Sequence, residues 1–193
     1  MLEKLKKSLK EAPVIQKECD GQTYNYFIHP ISDGIPETDP AILEEIADFI
    51  IKDGKTGGID KIVTVEAMGI PIATALSLKT GIPVSIIRKR AYGLDGEIEL
   101  SQSTGYSKGS LFINGLDKGD RILIVDDVIS TGGTLLPLLE KLGEAGIDIA
   151  GVYCVIGRGS GAEFVKEKTG VDVTVLVDID VSADGVSVIG GVK

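Results

Sequence analysis

Residues 122–134 read Ile-Leu-Ile-Val-Asp-Asp-Val-Ile-Ser-Thr-Gly-Gly-Thr, and they restrict the possible folds more than any other stretch. The opening apolar run, rich in β-branched residues, suits a strand buried on both faces, which is the habit of a parallel sheet. Two acids follow, then a Ser-Thr-Gly-Gly-Thr turn, then an apolar helical pattern through Leu139 and Leu142. Strand, acids, glycine turn, helix: α/β proteins build polyanion sites this way, beyond the carboxyl end of a strand. Gly132 and Gly133 let the backbone turn tightly and bring its N–H groups against a phosphate. The hydroxyls of Ser130, Thr131 and Thr134 add donors, and the start of the helix adds partial positive charge. Asp126 and Asp127 would repel a phosphate, so they need another reason to be there. A vicinal diol supplies one, because a carboxylate accepts from its hydroxyls, and a divalent cation nearby would complete the balance. A ribose that carries a phosphate meets both halves of such a site.

From residue 61 the chain repeats strand, loop, helix. Strands are expected at 61–65, 84–87, 121–125, 150–156 and 173–179, with a short edge strand at 186–189 after the Ala183-Asp184-Gly185 turn. A helix over 72–78 ends at Gly81. This alternation predicts the α/β class, with a mostly parallel central sheet covered by helices on both faces. Upstream, Leu2, Leu5, Leu9 and Ala12 fall at helical spacing before Pro13. Residues 14–28 read as a hairpin around Asp20-Gly21, with Tyr24, Tyr26 and Ile28 on one face. A loop stiffened by two prolines follows at 29–36, and Asp39 then caps a helix with Pro40 in its first turn and Leu43, Ile46, Ala47 and Ile50 inward. Residues 91–109 break the rhythm: four glycines and little helical periodicity stand where a crossover helix belongs. A long irregular segment inside a compact domain is usually functional or mobile; alternation at 98–102 offers a surface hairpin instead. With 193 residues and no repeat or linker, a single domain over 1–193 is expected.

A net charge of −9 argues against a nucleic-acid or membrane-surface partner, so a polyanion site must gather its cations locally. Arg88-Lys89-Arg90, directly after a strand, reads either as a solvated face, the usual meaning of a charge run, or as the place where those cations are gathered. No run is long and apolar enough to span a membrane, and the charged start is no signal peptide. Cys19 and Cys154 are far apart without metal-type spacing, which points to a reducing, cytoplasmic setting. His29, the one histidine, precedes a proline and reads as a structural hydrogen-bonder rather than a catalyst.

Residues 122–134 resemble the phosphoribosyl-pyrophosphate motif of the type I phosphoribosyltransferases. Over nearly the whole chain, the nearest resemblance is to the archaeal hypoxanthine/guanine enzymes of that family. It implies the family fold, with a small hood at 14–36 and a flexible lid at 91–109. Asp126 and Asp127 would then hold the ribose diol, and Ser130, Thr131, Gly132, Gly133 and Thr134 the 5′-phosphate. Glu66, Ala67, Met68 and Gly69 would form the pyrophosphate loop, helped by Arg88, Lys89 and Arg90. Ser103, Thr104 and Tyr106 would belong to the lid, and Arg158 would donate to O6 of a purine. Magnesium would act without direct protein ligands, with Asp126 and Asp127 reaching it through water. A homodimer is implied, with no nucleic acid and no membrane. The expected reaction is transfer of phosphoribose to hypoxanthine, and also guanine, in purine salvage. Adenine or xanthine as the base, or a sensor of the sugar donor, are the alternatives; Arg158 argues against adenine. Where mammalian-type 6-oxopurine enzymes place an aspartate near purine N7, this chain has Ser130, which cannot act as a base unaided.

Overall fold

The structure, a computed structural model, describes residues 1–19, 22–103 and 108–192. Helix α1 (Glu3–Lys10) buries Leu5 and Leu9 as its spacing predicts. Strands β1 (Val14–Cys19) and β2 (Gln22–Phe27) then pair antiparallel, Val14 facing Phe27 and Lys17 facing Tyr24. The proline-stiffened loop holds a short helix, α2 (Pro30–Asp33), that the sequence did not suggest. Local chemistry accounts for it. Pro30 presets the first helical residue, and the His29 side chain accepts from the Ile31 N–H as the N-cap. Asp33 fixes the far end, accepting from the Tyr26 hydroxyl, the His29 N–H and the Ser32 hydroxyl. Helix α3 (Pro40–Lys52) starts at Asp39 and buries Ile42, Ile46, Ala47 and Ile50.

The expected alternation follows: β3 (Lys61–Val65), α4 (Gly69–Thr80) and β4 (Val84–Ile87), then a hairpin of β5 (Ile98–Ser103) and β6 (Lys108–Ile113). After it come β7 (Arg121–Ile129), α5 (Leu135–Glu144), β8 (Asp148–Gly157), α6 (Gly161–Thr169), β9 (Val173–Ser182) and β10 (Gly185–Gly191). Six strands form one sheet in the order β10-β9-β8-β7-β3-β4, parallel except for the β10 edge. Helices α1, α3 and α4 cover one face with a core around Ile46, Ile62, Leu76 and Tyr153. The second face packs Val63, Ile124, Leu138 and Val152 under α5 and α6.

The chain order places the site. It runs from β3 outward to β4, then returns to β7 on the other side of β3. The carboxyl ends of β3 and β7 therefore flank a topological switch point, the crevice where open α/β sheets take ligands.

Two elements differ from the sequence reading in ways that matter. Strand β7 does not stop at Val125: Asp126 pairs with Cys154 and Val128 with Ile156, so both acids sit inside the ladder. The partner strand β8 is itself long, and pairing continues as far as it can. Residues 91–109 are also not irregular throughout. Ile98 to Ser103 pair with Lys108 to Ile113, and Leu100, Leu111 and Ile113 are buried beside α5. The Glu97 carboxylate ties the hairpin's base together, accepting from the Tyr92 and Gly93 N–H groups and the Asn114 amide. Thr104 and Tyr106, assigned to the lid, lie outside the described residues, as does the side chain of Ser103.

Candidate functional site

Asp126 and Asp127 stand within β7 near its carboxyl end, beside the loop that follows β3. The Asp127 N–H donates to Asp126 Oδ1 at 3.1 Å. Burial pushes both carboxyls above the ordinary carboxylate range; the charge of Asp126 adds to this at Asp127, while Lys89 works the other way at Asp126. Two such acids in one crevice suit hydroxyl donors or a cation.

The 66–69 loop closes the crevice from the β3 side. Its Glu66–Ala67 peptide bond is cis, and α4 begins immediately at Gly69. There a side chain would force its neighbours to shift: an added Cβ would lie 1.9 Å from Thr64 Oγ1 and 3.0 Å from Asp126 Oδ1. Thr64 was not singled out in the sequence. Its hydroxyl is fully buried without a hydrogen-bond partner, the one polar side chain in the strand's Ile-Val-Thr-Val run. That lone hydroxyl among apolar residues was the available signal.

The three cations behave differently from one another. Arg88 Nη2 is 3.1 Å from Glu66 Oε2, and the Lys89 N–H donates to the other Glu66 oxygen. Glu66 thus occupies an anion's place between the two residues. Lys89 is the cation whose field reaches Asp126. Arg90 turns to Tyr92, its Cζ 4.9 Å from the ring centroid.

Residues 130–134 connect β7 to α5, with Gly132 at φ +80°. The turn is wedged under the start of α6. An added Cβ at Gly161 would meet the Ser130 carbonyl oxygen at 2.4 Å and the Gly132 nitrogen at 2.8 Å. Gly161 is therefore part of the site's frame, and nothing in its sequence context marked it out.

The hood reaches the same crevice. Gly34, just after α2, faces the Met68 side chain across 3.4 Å from where its Cβ would be. The Tyr26 hydroxyl, bonded to Asp33, titrates high, at about 12, chiefly through burial and that bond, with Asp127 adding a smaller push. Arg158 stands apart from the acids. Its N–H donates to the Ile129 carbonyl, joining the ends of β8 and β7, and its guanidinium lies against Tyr24 of the hood.

His29 has the structural role expected of it. It is 1% exposed, and its Nε2 is 2.9 Å from Ser8 Oγ. Because Nδ1 accepts from Ile31, the neutral ring must carry its proton on Nε2 and donate it to Ser8. Burial lowers its pKa to about 4. The unfolded chain then binds the extra proton between that value and the ordinary 6.5, so this contribution is complete above pH 6.5 and is lost as pH falls towards 4. Relative to His29→Asn, which keeps a capping oxygen, the wild type should lose roughly 3 kcal/mol between pH 7 and pH 4. Denaturant melts of both proteins across that range measure the difference, and parallel curves would contradict it.

No helix among the described residues is long and apolar enough to cross a membrane. Cys154 is free and buried.

The sequence profile of the phosphoribosyl transferase domain matches residues 37–188. Over 188 residues the chain is 60% identical to the hypoxanthine/guanine phosphoribosyltransferase of Methanosarcina barkeri, covering 97% of this chain and 96% of that protein. A protein of the same name from Methanocaldococcus infernus is 55% identical over 186 residues, 96% of this chain and 99% of its own. Among solved structures, the adenine phosphoribosyltransferase of Thermoanaerobacter pseudethanolicus superposes with a TM-score of 0.69 at 21% identity, covering 92% of this chain and 99% of that one. The Trypanosoma brucei adenine enzyme gives 0.67 at 21%, covering 90% and 79%. The domain profile over most of the chain and relatives at 55% to 60% identity along nearly its whole length agree, and this chain belongs to the phosphoribosyl transferase family.

Proposed function

We propose that the protein transfers phosphoribose from phosphoribosyl pyrophosphate to hypoxanthine and guanine, releasing pyrophosphate, as a purine-salvage enzyme. The observation that carries this reading is the adjacency of a buried acid pair, a glycine turn at a helix start and a second glycine loop across one crevice. Relatives at 55% to 60% identity that bear the hypoxanthine/guanine name support the choice of base.

In this mechanism Asp126 and Asp127 accept from the ribose hydroxyls. Residues 130–134 hold the 5′-phosphate with backbone N–H groups, side-chain hydroxyls and the start of α5. Residues 66–69 offer backbone N–H groups to the pyrophosphate. Arg88 meets it once Glu66, which now pairs with its guanidinium, gives way to the stronger anion, and the Lys89 ammonium joins it. The bond from ribose C1 to the pyrophosphate oxygen breaks with its electron pair on the leaving group, and C1 bonds a ring nitrogen of the base, whose proton passes to solvent. The nearby carboxylates favour the positive charge that develops on the sugar. Arg158 donates to the 6-oxo oxygen, a contact adenine cannot use because its 6-amino group is itself a donor.

Among the described residues no three His, Cys, Asp or Glu side chains cluster to cage a metal. The adjacent carboxyls of Asp126 and Asp127 would instead hold, through water, a magnesium ion brought with the donor. When bound, it neutralises charge gathering on the pyrophosphate. The 91–109 segment serves as a lid that keeps water from the activated sugar. Protease cleavage within it should be suppressed by donor plus magnesium; undiminished cleavage would argue against closure. A homodimer completes the reading, to be checked by sedimentation.

The direct test is nucleotide formation from the donor with hypoxanthine, guanine, xanthine and adenine side by side. Turnover of the first two supports the proposal, and turnover of adenine alone would overturn it. Arg158→Ala should lower kcat/KM for hypoxanthine about a hundredfold and leave the donor's KM within about threefold. Equal losses on both substrates would remove Arg158 from base reading.

A further inference from the structure

Like Lys89 and Arg90, Arg158 has no ion-pair partner among the described residues, so a carboxylate does not hold its guanidinium. Its backbone is fixed, by the bond to Ile129, but two glycines flank it and neither supports the side chain. What holds the guanidinium is Tyr24. Arg158 Cζ lies 4.3 Å from the Tyr24 ring centroid, and Nη1 donates to the Tyr24 hydroxyl. Tyr24 stands on β2, in the hood, 134 residues away in sequence.

The ring is itself mounted on a stiff platform. Tyr26 lies on the same face, its ring centroid 6.5 Å from that of Tyr24. It is fixed by the Asp33 carboxylate and covered by the Lys17 ammonium, 3.6 Å from the ring centroid. Asp33 in turn is set by α2. A line of contacts thus runs from α2 through two tyrosines to the one guanidinium near the end of β8.

We infer that Tyr24 is a specificity-determining positioning residue, which holds Arg158 so that its remaining N–H donors are ready for the base. The inference rests on the reading of Arg158 given above. An aromatic face suits the task where a carboxylate would not. It attracts the cation while leaving most of its N–H groups uncommitted, whereas an acid would take two of them and cancel the charge. A freely rotating arginine would also have to be ordered at each binding event, and the ring does that ordering beforehand.

The test is a double-mutant cycle of Tyr24→Leu and Arg158→Ala, with Tyr24→Phe as the conservative variant. Each protein is assayed for both substrates of whichever base the wild type uses. Tyr24→Leu should raise KM for the base about tenfold, with the donor's KM within about twofold. Tyr24→Phe, which keeps the ring face, should recover most of that loss. In the Arg158→Ala background, Tyr24→Leu should have almost no further effect. A merely structural role in the hairpin would weaken the enzyme equally with or without Arg158, and such additivity overturns the inference. So does an unchanged or improved KM in Tyr24→Leu, which would make the contact a plug rather than a support. A wild type that turns over adenine alone would instead sink the assigned base, leaving the cycle to decide on the Tyr24–Arg158 pair.

Discussion

Exchanging Asp126 and Asp127 together for asparagine is expected to lower kcat/KM for the sugar donor about a thousandfold or more without unfolding the protein. Asparagine is nearly the same shape, but its amide offers one acceptor and one donor where the diol needs acceptors. It also removes the negative charge that favours a cationic sugar in the transition state. The fold should tolerate the exchange because these carboxyls are destabilising where they stand. Both are pushed up by burial. A carboxyl whose folded pKa is raised contributes stability at low pH, and that contribution is lost as pH rises through the raised value. The double variant, which has nothing to ionise, should therefore gain on the wild type in melting temperature as pH rises from the ordinary carboxylate value of about 4 through about 6, where Asp126 ionises. Turnover and melting curves on the same preparations check both parts. Near-normal turnover would remove the diol assignment, and a variant that melts lower at pH 8 would show the acids to be structural.

These acids were readable in the sequence because apolar strand, acid pair and glycine turn are contiguous there, and local order is what periodicity reports. The same is true of the Asp39–Pro40 cap, whereas residues 66–69 read locally only as a turn with a glycine and take their place in the site from the family resemblance. What could not be read depends on contacts between distant segments. Strand β7 continues through Asp127 because β8 is there to pair with it, and β8 begins some twenty residues later. The hairpin within 91–109 was hidden by its glycines, although the alternation at 98–102 carried part of it. Helix α2 is only four residues long and owes its existence to a histidine cap and an aspartate network. The pairing of Arg88 with Glu66 brings together residues 22 positions apart, and Tyr24 with Arg158 spans 134. Charge composition indicated that cations had to be collected locally. It could not say that one would be neutralised by Glu66, one left facing Asp126 and one turned to Tyr92.

Alanine at either of two glycines that frame the crevice should be strongly damaging, and the two should differ in whether they can be rescued. At Gly69 the added methyl meets Thr64 Oγ1 at 1.9 Å, Asp126 Oδ1 at 3.0 Å and Thr64 Cβ at 3.3 Å. Two of those three atoms belong to one side chain. Gly69→Ala alone should cost about 3 kcal/mol and displace Asp126, with loss of turnover to match. Trimming the obstacle with Thr64→Ala in the same chain should restore most of the stability, and part of the activity as Asp126 returns. At Gly161 the methyl meets the Ser130 carbonyl oxygen, its carbon and the Gly132 nitrogen, at 2.4, 2.7 and 2.8 Å. All three are backbone, so the 130–132 turn itself has to move. Gly161→Ala should therefore raise the donor's KM by more than about tenfold, and no single side-chain truncation should repair it. Thermal melts and donor KM values for the two alanine variants and the Gly69→Ala/Thr64→Ala double variant make the comparison. Failure of the double variant to recover, or a wild-type donor KM in Gly161→Ala, would mean that these loops yield more easily than their packing implies.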